Sequence, residues 1–151
     1  MKLAIGDKAP DFAVNDQDGI VHKLSDYRGR KLVIYFYPKD DTPGCTAQAC
    51  NLRDNYYDLR LKGYEVIGVS VDDEDSHQKF IQKFQLPFTL LSDTDKKMVE
   101  AYGVWQEKSN FGRQYMGIIR TTFVIDENGI IEDVITKVDT KEHAQQIGRN
   151  K

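Results

Sequence analysis

Cysteine is scarce in this chain: two residues in 151, both inside the single stretch PKDDTPGCTAQAC from Pro38 to Cys50. That excludes a disulfide-stapled small scaffold, which needs several bridges in place of a large core. Proline (4) and tryptophan (1) are also few and glycine (11) is ordinary, so neither a collagen-like nor a low-complexity chain is present. No apolar run approaches the roughly 18 residues of a membrane span. The opening MKLAIGDKAPDF meets Gly6 and Asp7 at once, without the apolar stretch of a secretory signal, so a cytoplasmic chain is expected. An excess of basic charge is missing as well. Lys and Arg number 21 against 24 Asp and Glu, for a formal net charge of −3, and the basic residues are scattered. Nucleic acid and membrane surfaces are therefore not expected as partners.

What is present fits one domain over residues 1–151, large enough to bury its own core. DFAVND and IVHKL read as short extended segments joined by Asp18-Gly19, a turn pair. KLVIYFYP, Lys31–Pro38, is a nearly continuous apolar and aromatic run and reads as a central strand buried on both faces. From Cys45 to Lys62 the pattern becomes helical, with Leu52, Tyr56 and Leu59 on one face and Gly63 as the stop. A second buried strand (Tyr64–Asp72), an amphipathic helix with Phe80, Ile81 and Phe84 inward, a shorter strand FTLLSD and a short helix in DTDKKMVEAYGV follow. MGIIRTTFVIDENGIIEDVI reads as two strands around Asn128-Gly129, and TKEHAQQIGRN as a closing helix. This order predicts an α/β domain with one mixed sheet flanked by helices. A thioredoxin-like sandwich and a small flavodoxin-like sheet both satisfy that pattern.

The chemistry concentrates where the central strand gives way to the first long helix. Thr42 stands at the N-cap, Pro43 at the favoured first helical position, and Gly44 and Cys45 complete the first turn. A thiol there lies beside unpaired backbone N–H groups and the positive end of the helix dipole, which favour the nucleophilic thiolate. The Thr42 hydroxyl is expected to cap the helix and to donate to the sulfur or to a bound oxygen substrate. Asp40 and Asp41 oppose this by like charge unless they face solvent. Arg120, at the head of RTTFVID in an otherwise uncharged segment, is the expected cation that outweighs them. Singly, a cysteine at a helix start is more often a small packed hydrophobe, and an arginine opening a strand a solvated edge charge. Together, after a buried strand, they point to a reactive thiol.

The spacing of Cys50 adds a constraint. Five residues along an α-helix turn by roughly 140° and rise about 7.5 Å, which separates the two Cα atoms by about 8–9 Å. A disulfide tolerates only about 4.4–6.8 Å. Two helical cysteines at this spacing cannot bond until the first turns unwind, which suits a switch better than a static cross-link. Zinc is disfavoured, since there is no second cysteine pair and His22, His77 and His143 are scattered in the chain.

With these residues in view, the chain resembles the peroxiredoxins, in the subgroup called peroxiredoxin Q or bacterioferritin comigratory protein. The family's P-x-x-x-T-x-x-C pattern falls on Pro38, Thr42 and Cys45, the subgroup's second cysteine on Cys50, and the family's arginine on Arg120. GDKAPDF, YEVIGVSVD and LLSD agree along the flanks. The resemblance implies a thioredoxin-like fold with an N-terminal β extension, and a thiol peroxidase acting on hydrogen peroxide and organic hydroperoxides with no metal or organic cofactor. It further implies that Cys45 attacks peroxide and passes through a sulfenic acid. Pro38, Thr42, Gly44 and Arg120 would shape the peroxide pocket, and Cys50 would resolve Cys45 as an intramolecular disulfide. Thioredoxin would restore the thiols of a monomer. Two departures stand out. Gln48 occupies a position where many relatives carry Glu, and the chain ends soon after EHAQQI. A thioredoxin-like disulfide oxidoreductase and a non-enzymatic redox sensor or holdase are the alternative readings.

Overall fold

The computed structural model describes residues 2–148. In chain order, β1 (Ala13–Asn15) and β2 (Val21–Lys23) form a hairpin, followed by a 3-10 turn at Leu24–Tyr27. Then come β3 (Lys31–Phe36), α1 (Pro43–Leu61), β4 (Tyr64–Ser70), α2 (Glu74–Phe84), β5 (Thr89–Ser92) and α3 (Lys97–Ala101). The remaining elements are β6 (Trp105–Asn110), β7 (Arg113–Ile118), β8 (Thr121–Ile125), β9 (Ile131–Ile135) and the single-turn α4 (His143–Gln146). The main sheet has the order β5-β4-β3-β8-β9. Strands β3, β4 and β5 run parallel, and β8 and β9 run antiparallel to their neighbours. Antiparallel β8 inserted beside β3 makes this the thioredoxin-like arrangement, with the β1–β2 hairpin as its N-terminal extension.

β3 lies at the centre because its side chains need cover on both sides. Leu32, Ile34 and Phe36 enter one core with Tyr27, Val99, Tyr102 and Phe123. Val33, Tyr35 and Tyr37 alternate into the other, with Ala49 and Leu52 of α1, Phe80 of α2 and Ala144 of α4. The second core also contains Cys45, so the expected central strand directly underlies the cysteine helix. α1 is stopped by Gly63 at φ 92°, in the left-handed region that glycine enters without strain.

Two sequence expectations need correction. MGIIRTTFVI is not one strand: it breaks at Ile119–Arg120 into β7, which pairs with β6 as a separate hairpin, and β8 of the main sheet. β6 carries a mostly polar, exposed sequence, so it lacks the apolar alternation of a half-buried strand. Its turn sets Phe111 (φ 53°) before Gly112 (φ 77°), and a fully exposed phenylalanine is a poor sequence marker for a hairpin turn. Of the expected closing helix over residues 140–150, only His143–Gln146 is helical; residues 140–142 and 147–148 form turns and a bend, and residues 149–150 lie outside the described residues. α4 is fastened to α1 by Asn51, whose Oδ1 accepts from Ala144 N at 2.7 Å. His143 Nε2 meets the Thr122 hydroxyl at 2.8 Å, and burial with the nearby Arg120 charge pushes this imidazole below its ordinary value.

Tyr35 carries a buried hydroxyl that finds no hydrogen-bond partner among the described residues. Tyr35→Phe is therefore expected to raise the unfolding free energy by about 1 kcal/mol, read by urea denaturation. Gly68→Ala should do the reverse, by roughly 1–3 kcal/mol. Its Cβ would stand 2.7 Å from Leu90 Cδ2 and 2.8 Å from Tyr35 Cζ.

Candidate active site

The site forms where β3 ends and the chain turns into α1. Thr42 adopts the extended N-cap conformation (φ −101°, ψ 156°), Pro43 opens the helix, and the first helical hydrogen bond runs from Thr46 N to Thr42 O at 2.8 Å. The Thr42 side chain does not cap, contrary to expectation. Its hydroxyl donates backward to Lys39 O at 2.9 Å, tightening the turn that precedes the helix. Pro38 is half-buried just past β3, and Gly44 is half-buried in the first turn of α1.

Cys45 is almost fully buried (2% exposed) and Cys50 is half-buried; both are free thiols on α1. Because both are helical, the separation of about 8–9 Å given by ideal helix geometry applies to this dithiol state. Arg120 reaches the site from the connection between β7 and β8. Its Nη2 donates to Cys45 Sγ at 3.3 Å and its Nη1 donates to Gln48 Oε1 at 2.6 Å. One rigid guanidinium thus grips two side chains spaced i, i+3 on α1. Gln48 is fully buried, and its Nε2 finds no acceptor among the described residues. Gly44 makes room for this grip, since a Cβ there would stand 3.2 Å from Arg120 Nη2.

Of the two aspartates, Asp41 faces solvent, as the sequence allowed, whereas Asp40 is buried; Arg120 meets the Cys45 sulfur, as expected, and among the described residues pairs with neither carboxylate. Asp41, in the left-handed region at φ 55°, points outward and accepts from Lys83 Nζ at 2.8 Å. Asp40 turns inward and is 7% exposed. Its Oδ1 accepts from Tyr37 Oη at 2.6 Å; its Oδ2 accepts from Ser76 Oγ at 2.8 Å and meets His77 Nδ1 at 2.7 Å. Asp40 N donates to Asp72 Oδ2 at 2.9 Å. Asp40, Asp72 and His77 bring ligand-type atoms within 4.8 Å of one another, but these atoms are engaged in hydrogen bonds within the cluster. Burial alone would lower the His77 imidazole; the Asp40 hydrogen bond and charge, the Leu91 carbonyl and Asp72 outweigh it and hold it above its ordinary value. Sequence reasoning missed Tyr37, Ser76 and His77. Its one signal was His77 on the inward side of an amphipathic helix, where an unsatisfied imidazole would be costly.

A buried thiol facing an arginine at a helix start, on a thioredoxin-like sheet, defines a thiol-redox enzyme. The chain belongs to the AhpC/TSA family, whose family model matches residues 5–134. Within it, the chain is similar to Peroxiredoxin Bcp of Bacillus subtilis, at 47% identity over 146 residues, covering 97% of this chain and 93% of that one. It is also 48% identical over 141 residues to Peroxiredoxin Bcp of Escherichia coli, covering 93% and 90% of the two chains. A solved cysteine-to-serine mutant of PrxQ from Xylella fastidiosa superposes with a TM-score of 0.92 at 30% identity, covering 99% and 96%. The protein is a thiol-dependent peroxidase, with a peroxide as substrate and a thiol as reductant. Among the described residues, no helix is long and apolar enough to cross a membrane.

Gly44→Ala is expected to leave the circular dichroism unchanged and to slow peroxide consumption about tenfold to a hundredfold, because it displaces the guanidinium by a fraction of an ångström. A variant with parental turnover would show that Arg120 need not approach so closely.

Proposed function

We propose that Cys45 is the peroxidatic thiol, Cys50 its resolving partner, and Thr42 and Arg120 the groups that hold the peroxide. The carrying observation is the 3.3 Å contact from Arg120 Nη2 to Cys45 Sγ at the start of α1. A fixed cation and the helix N-terminus both favour sulfur as thiolate. The thiolate attacks the terminal peroxide oxygen. The O–O bond breaks, and the leaving oxygen departs as water or an alcohol after taking a proton. Thr42 has its own proton engaged by Lys39 O, so its lone pairs are left to accept the hydroperoxide O–H. Arg120 stabilises the charge that develops on the leaving oxygen, with Pro38 and Gly44 completing the pocket wall.

The product is a Cys45 sulfenic acid. Cys50 thiolate then attacks that sulfur and displaces hydroxide, which leaves as water, forming an intramolecular disulfide. An intact α1 forbids this step, so the first turns, residues 43–50, unwind between the two half-reactions. The Arg120 grip on Cys45 and Gln48 must be released for this to happen. A dithiol protein of the thioredoxin type then reduces the disulfide by exchange. Because both cysteines lie on one helix, a monomer is sufficient. A cytoplasmic setting, reducing and supplied with such dithiols, fits the cycle.

In a peroxidase assay coupled to thioredoxin and its reductase, Cys45→Ser is expected to abolish turnover. Cys50→Ser should consume about one equivalent of peroxide per chain and then stop. Sustained cycling by the Cys50 variant would remove it from the resolving role. Amide exchange across residues 43–50 should be faster in the oxidised protein than in the dithiol form, whereas identical protection in both states would rule out the unwinding step.

A further inference from the structure

His77 lies on α2, outside the peroxide pocket, and is completely buried (0% exposed). Both ring nitrogens face acceptors. Nε2 meets the Leu91 carbonyl at 2.9 Å, and a carbonyl can only accept, so Nε2 carries a proton. Nδ1 meets Asp40 Oδ2 at 2.7 Å, and that carboxylate already receives the Tyr37 and Ser76 hydroxyls. Two hydroxyl donors and Nδ1 converge on the Asp40 carboxyl, and Nδ1 as the third donor completes the set, which gives the ring its second proton. We infer that His77 is a positioning residue of the peroxidase: as a buried imidazolium it neutralises Asp40 and fixes the turn that presents Thr42 and Cys45 to Arg120.

The groups around the imidazole agree with this. The turn before α1 contributes the Asp40 carboxylate, the segment after β4 contributes Asp72, and β5 contributes the Leu91 carbonyl. The first turn of α2 contributes the Ser76 hydroxyl, and the Tyr37 ring stands at a centroid distance of 6.4 Å. The cation therefore sits among acceptors and two carboxylates. Asp72 Oδ2 takes both Asp40 N–H and Ser70 Oγ–H, so the turn is held by its backbone as well as by its side chain. Asp41, next in the chain, needs no such cover because Lys83 pairs with it at the surface.

Without the His77 charge, Asp40 would present an uncompensated buried carboxylate five residues before Cys45, and like charge disfavours a thiolate. A merely structural histidine would loosen the fold without changing how the thiol responds to pH. A histidine held above its unfolded value also contributes stability that is complete below about pH 6.5 and is lost as pH rises through its folded value.

The inference rests on Cys45 being the reacting thiol, so the test reads Cys45 and His77 separately. Alkylation of Cys45 by iodoacetamide, followed by peptide mass spectrometry against pH, is compared for the parent, His77→Gln, Asp40→Asn and the double variant. His77→Gln is expected to move the midpoint of the rate profile to higher pH by about one unit. Adding Asp40→Asn should return it towards the parent position, because the uncovered charge is gone. A His77→Gln profile that overlays the parent, or a double variant that stays shifted, overturns the proposal. Nitrogen-15 spectra of the unaltered protein give a readout that needs neither variant to fold nor Cys45 to react. They should show both His77 nitrogens protonated at pH 7, and a single neutral tautomer there also overturns it.

Discussion

One guanidinium joins the two parts of the chain from which the site is built. Arg120 bridges Cys45 Sγ and Gln48 Oε1, tying the first turns of α1 to the break between β7 and β8. The remaining features of the site accommodate that grip. Gly44 omits the Cβ that would crowd it. Pro43 opens the helix where Arg120 can meet its positive end, and the sheet break at Ile119–Arg120 frees the arginine from ladder pairing. A cation at a helix N-terminus is electrostatically unfavourable by itself. The arrangement becomes favourable when an anion lies between them, and the proposed Cys45 thiolate would supply one.

The same electrostatic requirement explains the depth of the polar cluster behind the site. Asp40 places a carboxylate five residues before the sulfur proposed to react as a thiolate, yet it also provides two oxygens around which the turn can be organised. Burying it among Tyr37, Ser76 and His77 retains that organisation while covering the charge. A buried carboxylate without such partners would cost several kcal/mol. The cluster draws on the end of β3, the end of β4, the start of α2 and β5, so the turn preceding Cys45 is held by much of the sheet's C-terminal edge. The hydrogen bonds of this cluster lie before Cys45, and the Asn51 contact with α4 lies just after residues 43–50, the segment proposed to unwind.

The fold was legible in the sequence where apolar periodicity was strong. KLVIYF lies at the sheet centre, YEVIGVS pairs beside it, and Leu52 and Leu59 face inward from α1. It was illegible where a hairpin projects from the sheet with both faces wet, because β6 then needs no apolar alternation. The short α4 was overestimated because Ala and Gln are good helix formers, while the Asn51 anchor that determines its position comes from a distant part of the chain. At the site, Thr42-Pro43-Gly44-Cys45 could be read as a helix start because dihedral preference is local. The Arg120 contact with the sulfur was legible too; the partners of Asp40 and Asp41, His77 and Lys83, were not, because both come from α2.

The sequence by itself determined that both thiols stand on one helix, five residues apart, with a proline-marked N-terminus beside the first. Those features follow from backbone geometry over a few residues and survive any tertiary context that keeps the helix. Only the tertiary structure decided which groups meet Asp40 and Asp41, and whether the Thr42 hydroxyl caps the helix or turns back to Lys39. These are pairings between groups that are distant in sequence or compete for one partner. They are settled by sheet register and burial, which no local pattern encodes.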